Sequence, residues 1–266
     1  MSWQSKSSAP PPGYRYGGRY RASRENVLRT IFYIARGKPR SLAVDALLAI
    51  TNMPAPPLIR DAGHVPETGN FVVVANHYER PGLWMAWPAL VACHAVRERA
   101  GRDVHWIAIE EWESFSIWGI RIPPNLIRAV FERAFHTYGI LAMPSARAPA
   151  AARASSMRSA VHEVRAGKIV GLMPEGDVGA TPELLEAREG VGTFLLLLAT
   201  TGVPMLPVGL YEENSRLVAQ FGPPFSLDVP SEVAKNERVR WVRDRVMCAV
   251  RDLLPRPLWG VYGTKT

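Results

Sequence analysis

From residue 70 onward, short apolar runs alternate with longer stretches in which apolar side chains recur at helical spacing. The runs 71–75, 104–109, 139–142, 169–173 and 205–210 read as buried strands. The intervening 83–99, 126–135, 148–165 and 189–200 read as helices. Strands and helices in strict alternation predict βαβ units, and so an α/β fold: a mostly parallel sheet with helices on both faces. Beyond residue 211, the segments 217–221 and 225–227 are expected as short strands about a Gly222-Pro223-Pro224 turn. A closing helix is expected over 231–254, with Ser231 as its cap.

Upstream the pattern changes. Residues 1–23 are rich in Ser, Pro, Gly, Tyr and Arg without hydrophobic period, and are expected to be a disordered basic tail. They lack the apolar core of a secretory signal. Over 24–55 an amphipathic helical segment is expected. Val27, Leu28, Ile31, Phe32 and Ile34 form an apolar stripe flanked by Arg24, Arg29 and Arg36, and a second short helix follows at 41–50. Residues 56–266 then form the α/β domain.

Charge sharpens this division. The first 40 residues carry nine basic side chains against one acid, Glu25, which accounts for the whole formal net charge of +8. A phosphate-rich partner is implied for this segment. An amphipathic basic helix fits the surface of an anionic membrane, although two helices packed on the domain with solvated arginines would give the same pattern. Nucleic acid is the less favoured partner, since no basic and aromatic patch on a nucleic-acid fold follows. No run of apolar residues is long enough to span a bilayer, so the expected location is cytoplasmic and peripheral to the membrane. The two cysteines, Cys93 and Cys248, make neither a disulfide framework nor a metal motif. The histidines show no ligand spacing, so no metal is expected, and the absence of a Gly-x-Gly-x-x-Gly or Walker loop argues against a nucleotide cofactor held in those ways.

Candidate chemistry begins at Asn76-His77, just past the first strand. A histidine there lies at the carboxyl end of a strand, where open α/β sheets build their sites. Gly139-Ile140-Leu141-Ala142 follows, with Arg147 nearby, then Met173-Pro174-Glu175-Gly176, then Gly202-Val203-Pro204-Met205-Leu206-Pro207-Val208 and Phe221-Gly222-Pro223-Pro224. In this order and spacing, over residues 70–228, the chain resembles the glycerolipid acyltransferase family, of the lysophosphatidic acid and glycerol-3-phosphate acyltransferase type. The resemblance implies that family's α/β fold and transfer of an acyl group to a hydroxyl. Acyl-CoA or an acyl carrier protein would be co-substrate, a lipid the acceptor, and no further cofactor is implied. It also implies that His77 is the general base and that Asn76, Glu175, Gly176 and Arg147 bind substrate or hold the site.

Two positions depart from the family pattern. Its His-x-x-x-x-Asp motif carries an aspartate that orients the imidazole; here that position is Gly82. Three explanations compete. Another carboxylate substitutes (Glu79, Glu110, Glu111 or Asp177), the histidine works unassisted, or catalysis is lost and a lipid-binding protein remains. The family's Glu-Gly-x-Arg-Ser, whose arginine meets the acceptor phosphate, is here Glu175-Gly176-Asp177-Val178-Gly179. Arg147 is the other arginine that could meet a phosphate. Glycerol-3-phosphate is therefore a less favoured acceptor. Trp112, Phe115 and Trp118, at helical spacing, are open between core, acyl groove and membrane interface.

Overall fold

Val72, Val73, Val74 and Ala75 have no room for solvent on either side: each is 0% exposed, because the strand they form lies inside the sheet with helices over both faces. The computed structural model describes residues 20, 22–50, 53, 55–110, 115–117, 120–145 and 147–264. In chain order the first elements are α1 (Arg24–Arg36), α2 (Leu42–Ile50), β1 (Leu58–Arg60), β2 (Val72–Ala75), α3 (Ala86–Ala100), β3 (Val104–Glu110), β4 (Phe115–Ile117) and β5 (Ile120–Ile122). There follow α4 (Pro124–Tyr138), β6 (Leu141–Pro144), α5 (Ala150–Arg165), β7 (Ile169–Leu172), α6 (Val191–Ala199), β8 (Met205–Glu213), β9 (Arg216–Phe221) and α7 (Arg238–Arg251).

Seven strands form one sheet in the order β1-β9-β8-β2-β7-β3-β6. β8, β2, β7, β3 and β6 run parallel; β9 returns antiparallel to β8, and β1 lies parallel to β9. The α/β fold with a mostly parallel sheet is as expected. From β2 the chain steps outward through β3 to β6, then turns back through β7 to β8. Helix α3 packs against β3, β8 and β9, while α5 covers β6 and β7 and α7 covers β2 and β8.

Several details differ from the sequence expectations. β1 is an added edge strand. The 115–117 segment is a strand paired with 120–122 in a hairpin, not part of a helix; Trp112 and Trp118 lie outside the described residues. Residues 225–227 contribute a single bridge, Met205 with Phe225, instead of a strand. The closing helix begins at Arg238, and Ser231 sits in a preceding turn, because Pro230 and the polar 231–237 run favour turns over helix.

At the other end, α1 is capped by Ser23, whose hydroxyl accepts from the Asn26 N–H, yet it buries none of its residues. α2 buries Ala43, Ala46, Ala49 and Ile50 and packs on α3. Tyr20, within the segment expected to be disordered, is instead buried: its hydroxyl donates to Glu212 at 3.0 Å and its ring lies beside Trp87. Among the described residues no helix is long and apolar enough to cross a membrane.

Candidate active site

The sheet register brings the site together. β2 and β7 pair as Val72 with Val170, Val73 with Gly171 and Val74 with Leu172. Continued three residues beyond the last pair, the same offset sets His77 opposite Glu175. The contact is made: the His77 backbone N–H donates to Glu175 Oε1 at 2.6 Å. On the other flank, Asn76 Nδ2 donates to the Leu210 carbonyl at 2.8 Å, and Asn76 Oδ1 accepts from the Leu210 N–H at 2.7 Å. The side-chain amide thus stands in for a peptide unit and extends the β2–β8 ladder by one rung. Asn76 is 1% exposed, so its geometry serves the strand end and the placement of His77 more than contact with a substrate.

Glu175 is equally buried, at 3% exposed, and both of its oxygens are used. Oε2 accepts from the Leu185 N–H at 2.7 Å. The glutamate therefore clasps the histidine loop to the 184–188 segment. That segment is held in turn from residues 258–262: Leu184 N–H donates to the Leu258 carbonyl, Val261 N–H to the Leu184 carbonyl, and Ala187 N–H to the Tyr262 hydroxyl. Of the two roles open for Glu175, the geometry supplies the loop-holding one. Burial pushes its carboxyl up to about 7, with the two amide donors pulling the other way.

Burial also pushes the His77 imidazole down to about 4, against the pull of the Asp177 carboxylate. The ring is therefore neutral near pH 7. His77 Nδ1 lies 3.9 Å from Glu175 Oε1, beyond hydrogen-bond reach, and has no hydrogen-bond partner among the described residues. Glu79 Oε2 accepts from the Met85 N–H at 3.2 Å, just ahead of α3. Glu110 ends β3 and Glu111 lies outside the described residues.

The aspartate position itself is occupied by a turn. Leu83 N–H donates to the Arg80 carbonyl at 2.9 Å and Arg80 N–H to the Leu83 carbonyl at 3.2 Å, with Pro81-Gly82 between them. Gly82 has φ +79°, the conformation of the third residue of a type II turn, which glycine adopts without strain. Arg80 fixes this turn from outside by pairing with Glu212 at the end of β8 and by donating to the Pro81 carbonyl. Glu212 is the same carboxylate that accepts from Tyr20.

A pocket of about 240 Å³ opens over the histidine, lined by His77, Glu79, Trp84, Met85, Gly176, Asp177 and Val178. Four of the expected site residues, His77, Glu79, Gly176 and Asp177, thus share one pocket, with Glu175 beneath. Asp177 is exposed and its Oδ1 accepts from the Val178 N–H at 2.8 Å. Gly176 has φ +64°, and a Cβ there would stand 2.8 Å from Arg188 Cδ. Arg147 lies exposed past β6 and outside the pocket lining.

Sequence reasoning missed Trp84, read as a core or interface anchor, Met85, read as part of a helix, and Arg188, which donates to the Gly176 carbonyl at 3.1 Å. The signal for Trp84 was its place just past the Pro-Gly turn; Arg188 carried none. Among the described residues no group of three His, Cys, Asp or Glu side chains is placed to hold a metal.

No curated protein matches the chain. Among solved structures it is similar to the 1-acyl-sn-glycerophosphate (LPA) acyltransferase PlsC from Thermotoga maritima, at 18% identity and a TM-score of 0.50, covering 87% of this chain and 83% of that one. At that identity the likeness speaks for the fold alone. The sequence model of the family described as Acyltransferase matches residues 58–211, which span β1 to the middle of β8 and include His77, the Pro81-Gly82 turn, Glu175 and the pocket. With more than half of its length matched, the chain belongs to the acyltransferase family, as the resemblance of its motifs to the glycerolipid acyltransferases implies.

Proposed function

We propose that the protein moves a fatty acyl group from acyl-CoA or an acyl carrier protein to a hydroxyl of a glycerolipid, lysophospholipid or related acceptor, with His77 as general base. The observation that carries this reading is the placement of a neutral histidine at a strand end, on the wall of a pocket, in a loop held by a buried glutamate. In the proposed reaction a His77 ring nitrogen takes the hydroxyl proton as the oxygen attacks the thioester carbonyl. The new C–O bond forms, the C–S bond breaks, and the proton returns from the imidazolium to the departing thiolate. With Nδ1 turned to the buried side, Nε2 is the nitrogen for this work. Asp177 lies where its charge would favour the transient imidazolium.

The acceptor is met at a membrane surface. Support comes from α1, where Val27, Leu28, Ile31 and Phe32 are all more than 40% exposed beside Arg24 and Arg36. α4 touches α1 and adds exposed Leu126, Val130 and Phe131, with Arg128 and Arg133 exposed on the same helix. Apolar side chains ringed by arginines suit an anionic interface.

A second reading, a lipid-binding protein without catalysis, is favoured by one observation: His77 Nδ1 lacks the carboxylate hydrogen bond that orients such a base. Purified protein incubated with acyl-CoA and a panel of acceptors separates the two. Turnover that His77→Ala abolishes is expected; absence of turnover with every acceptor leaves the binding reading in its place.

A further inference from the structure

We infer that the pocket over His77 receives an alkylammonium group, so that the acceptor is a hydroxylated lipid or alcohol bearing a cation, not a phosphate, beside the reacting hydroxyl. This deepens the acyltransferase reading and rests on it.

The lining is the first ground. Of the seven residues around the pocket, two are acids, Glu79 and Asp177, one is an indole, Trp84, and one is a thioether, Met85; none is arginine or lysine. Trp84 is 43% exposed, so its ring is available to the pocket instead of being spent in the core. A carboxylate set beside an exposed aromatic face is the combination that holds quaternary and primary ammonium groups, through charge attraction and the cation–π interaction.

The second ground is the fate of the groups that would serve an anion. The neighbouring arginines are turned to protein acceptors: Arg80 to Glu212 and the Pro81 carbonyl, Arg188 to the Gly176 carbonyl. A tight turn after a strand commonly offers N–H groups to a phosphate, but here the Val178 N–H is taken by Asp177 Oδ1. The turn therefore presents a carboxylate where a phosphate site would present donors. Asp177 is exposed and lines the pocket.

Three lysolipid acceptors with the same acyl chain and the same free 2-hydroxyl test this, differing only at carbon 3: trimethylammonium, hydroxyl or phosphate. Transfer from palmitoyl-CoA is followed by release of free thiol, and binding of each acceptor by quenching of protein fluorescence. The expected result is a kcat/KM for the trimethylammonium acceptor at least tenfold above the other two, with Asp177→Asn and Trp84→Ala each collapsing that ratio several-fold. A preference for the phosphate acceptor, or equal use of all three, overturns the inference and leaves the acyltransferase reading standing. If no acceptor turns over yet the trimethylammonium compound alone binds, and loses binding in Trp84→Ala, the cation site holds and the catalytic reading fails. Equal binding of all three compounds without turnover overturns both.

Discussion

The oxygen of Glu175 that accepts the His77 backbone N–H at 2.6 Å is the same atom that stands 3.9 Å from the His77 ring nitrogen. One carboxylate thus fixes the loop and faces the imidazole, without bonding to the ring. With its other oxygen accepting from Leu185, Glu175 supplies two acceptors to the clasp. Glu175→Gln offers one acceptor and sets its amide donor against a backbone donor. We expect a loss of about 1–3 kcal/mol in stability and a fall of roughly tenfold or more in kcat at a conserved substrate KM. Thermal unfolding and steady-state kinetics measure the two.

The pH dependence of stability follows from the same pair. Glu175 is displaced upward, from 4.5 to about 7, so between those values the folded protein holds the extra proton and stability falls as pH rises. His77 is displaced downward, from 6.5 to about 4, so between those values the unfolded chain holds the extra proton and stability rises with pH. The two contributions, each on the order of 3 kcal/mol across its window, oppose one another in the wild type. Unmasked singly they separate. His77→Asn should lose stability from pH 4.5 to 7, and Glu175→Gln should gain it from pH 4 to 6.5. Urea titrations at several pH values read both slopes, and equal slopes in the two variants would refute the assignment.

Gly82→Asp would restore the family residue without restoring its function. The position has φ +79° within the Pro81-Gly82 turn, where an aspartate costs about 1–2 kcal/mol. We expect a lower melting temperature and no gain in turnover. A rise in kcat would mean that the turn opens to let the carboxylate reach His77.

Arg80 and Glu212 are expected to be energetically coupled through the turn. In a double-mutant cycle of Arg80→Ala and Glu212→Ala, a coupling of about 1 kcal/mol is expected for a partly buried pair. Additive effects would show that the pair does not hold the loop.

For the proposed membrane face, Leu28→Glu combined with Ile31→Glu should abolish sedimentation with anionic liposomes. Stability should change by less than about 0.5 kcal/mol per site, since α1 buries none of its residues. Undiminished liposome binding would remove α1 from the interface.

The parallel sheet was legible because its strands are short apolar runs, fully buried in β2 and β7; four of the five lie within two residues of their expected bounds, and β8 runs three residues further. β1 was not, since Leu58–Arg60 is three residues long and stands out only through its pairing with β9. The site was half legible. His77 and Glu175 announce themselves through motifs, and the absence of the aspartate was plain at Gly82. What holds the loop in place was hidden, because the Arg80–Glu212 pair spans 132 residues of sequence and the Leu185 clasp is made by a backbone group that any residue type could supply.

The brace from residues 258–262 onto Leu184 and Ala187 changes what counts as the candidate site. None of the residues lining the pocket comes from that stretch, and it lies beyond the matched segment 58–211. A protein trimmed to the match would keep every residue that lines the pocket and lose the far anchor of the glutamate beneath it. The position of His77 is thereby tied to residues 258–262, and under the proposed reaction the stretch around Tyr262 is a place from which turnover is tuned without a single change in the pocket.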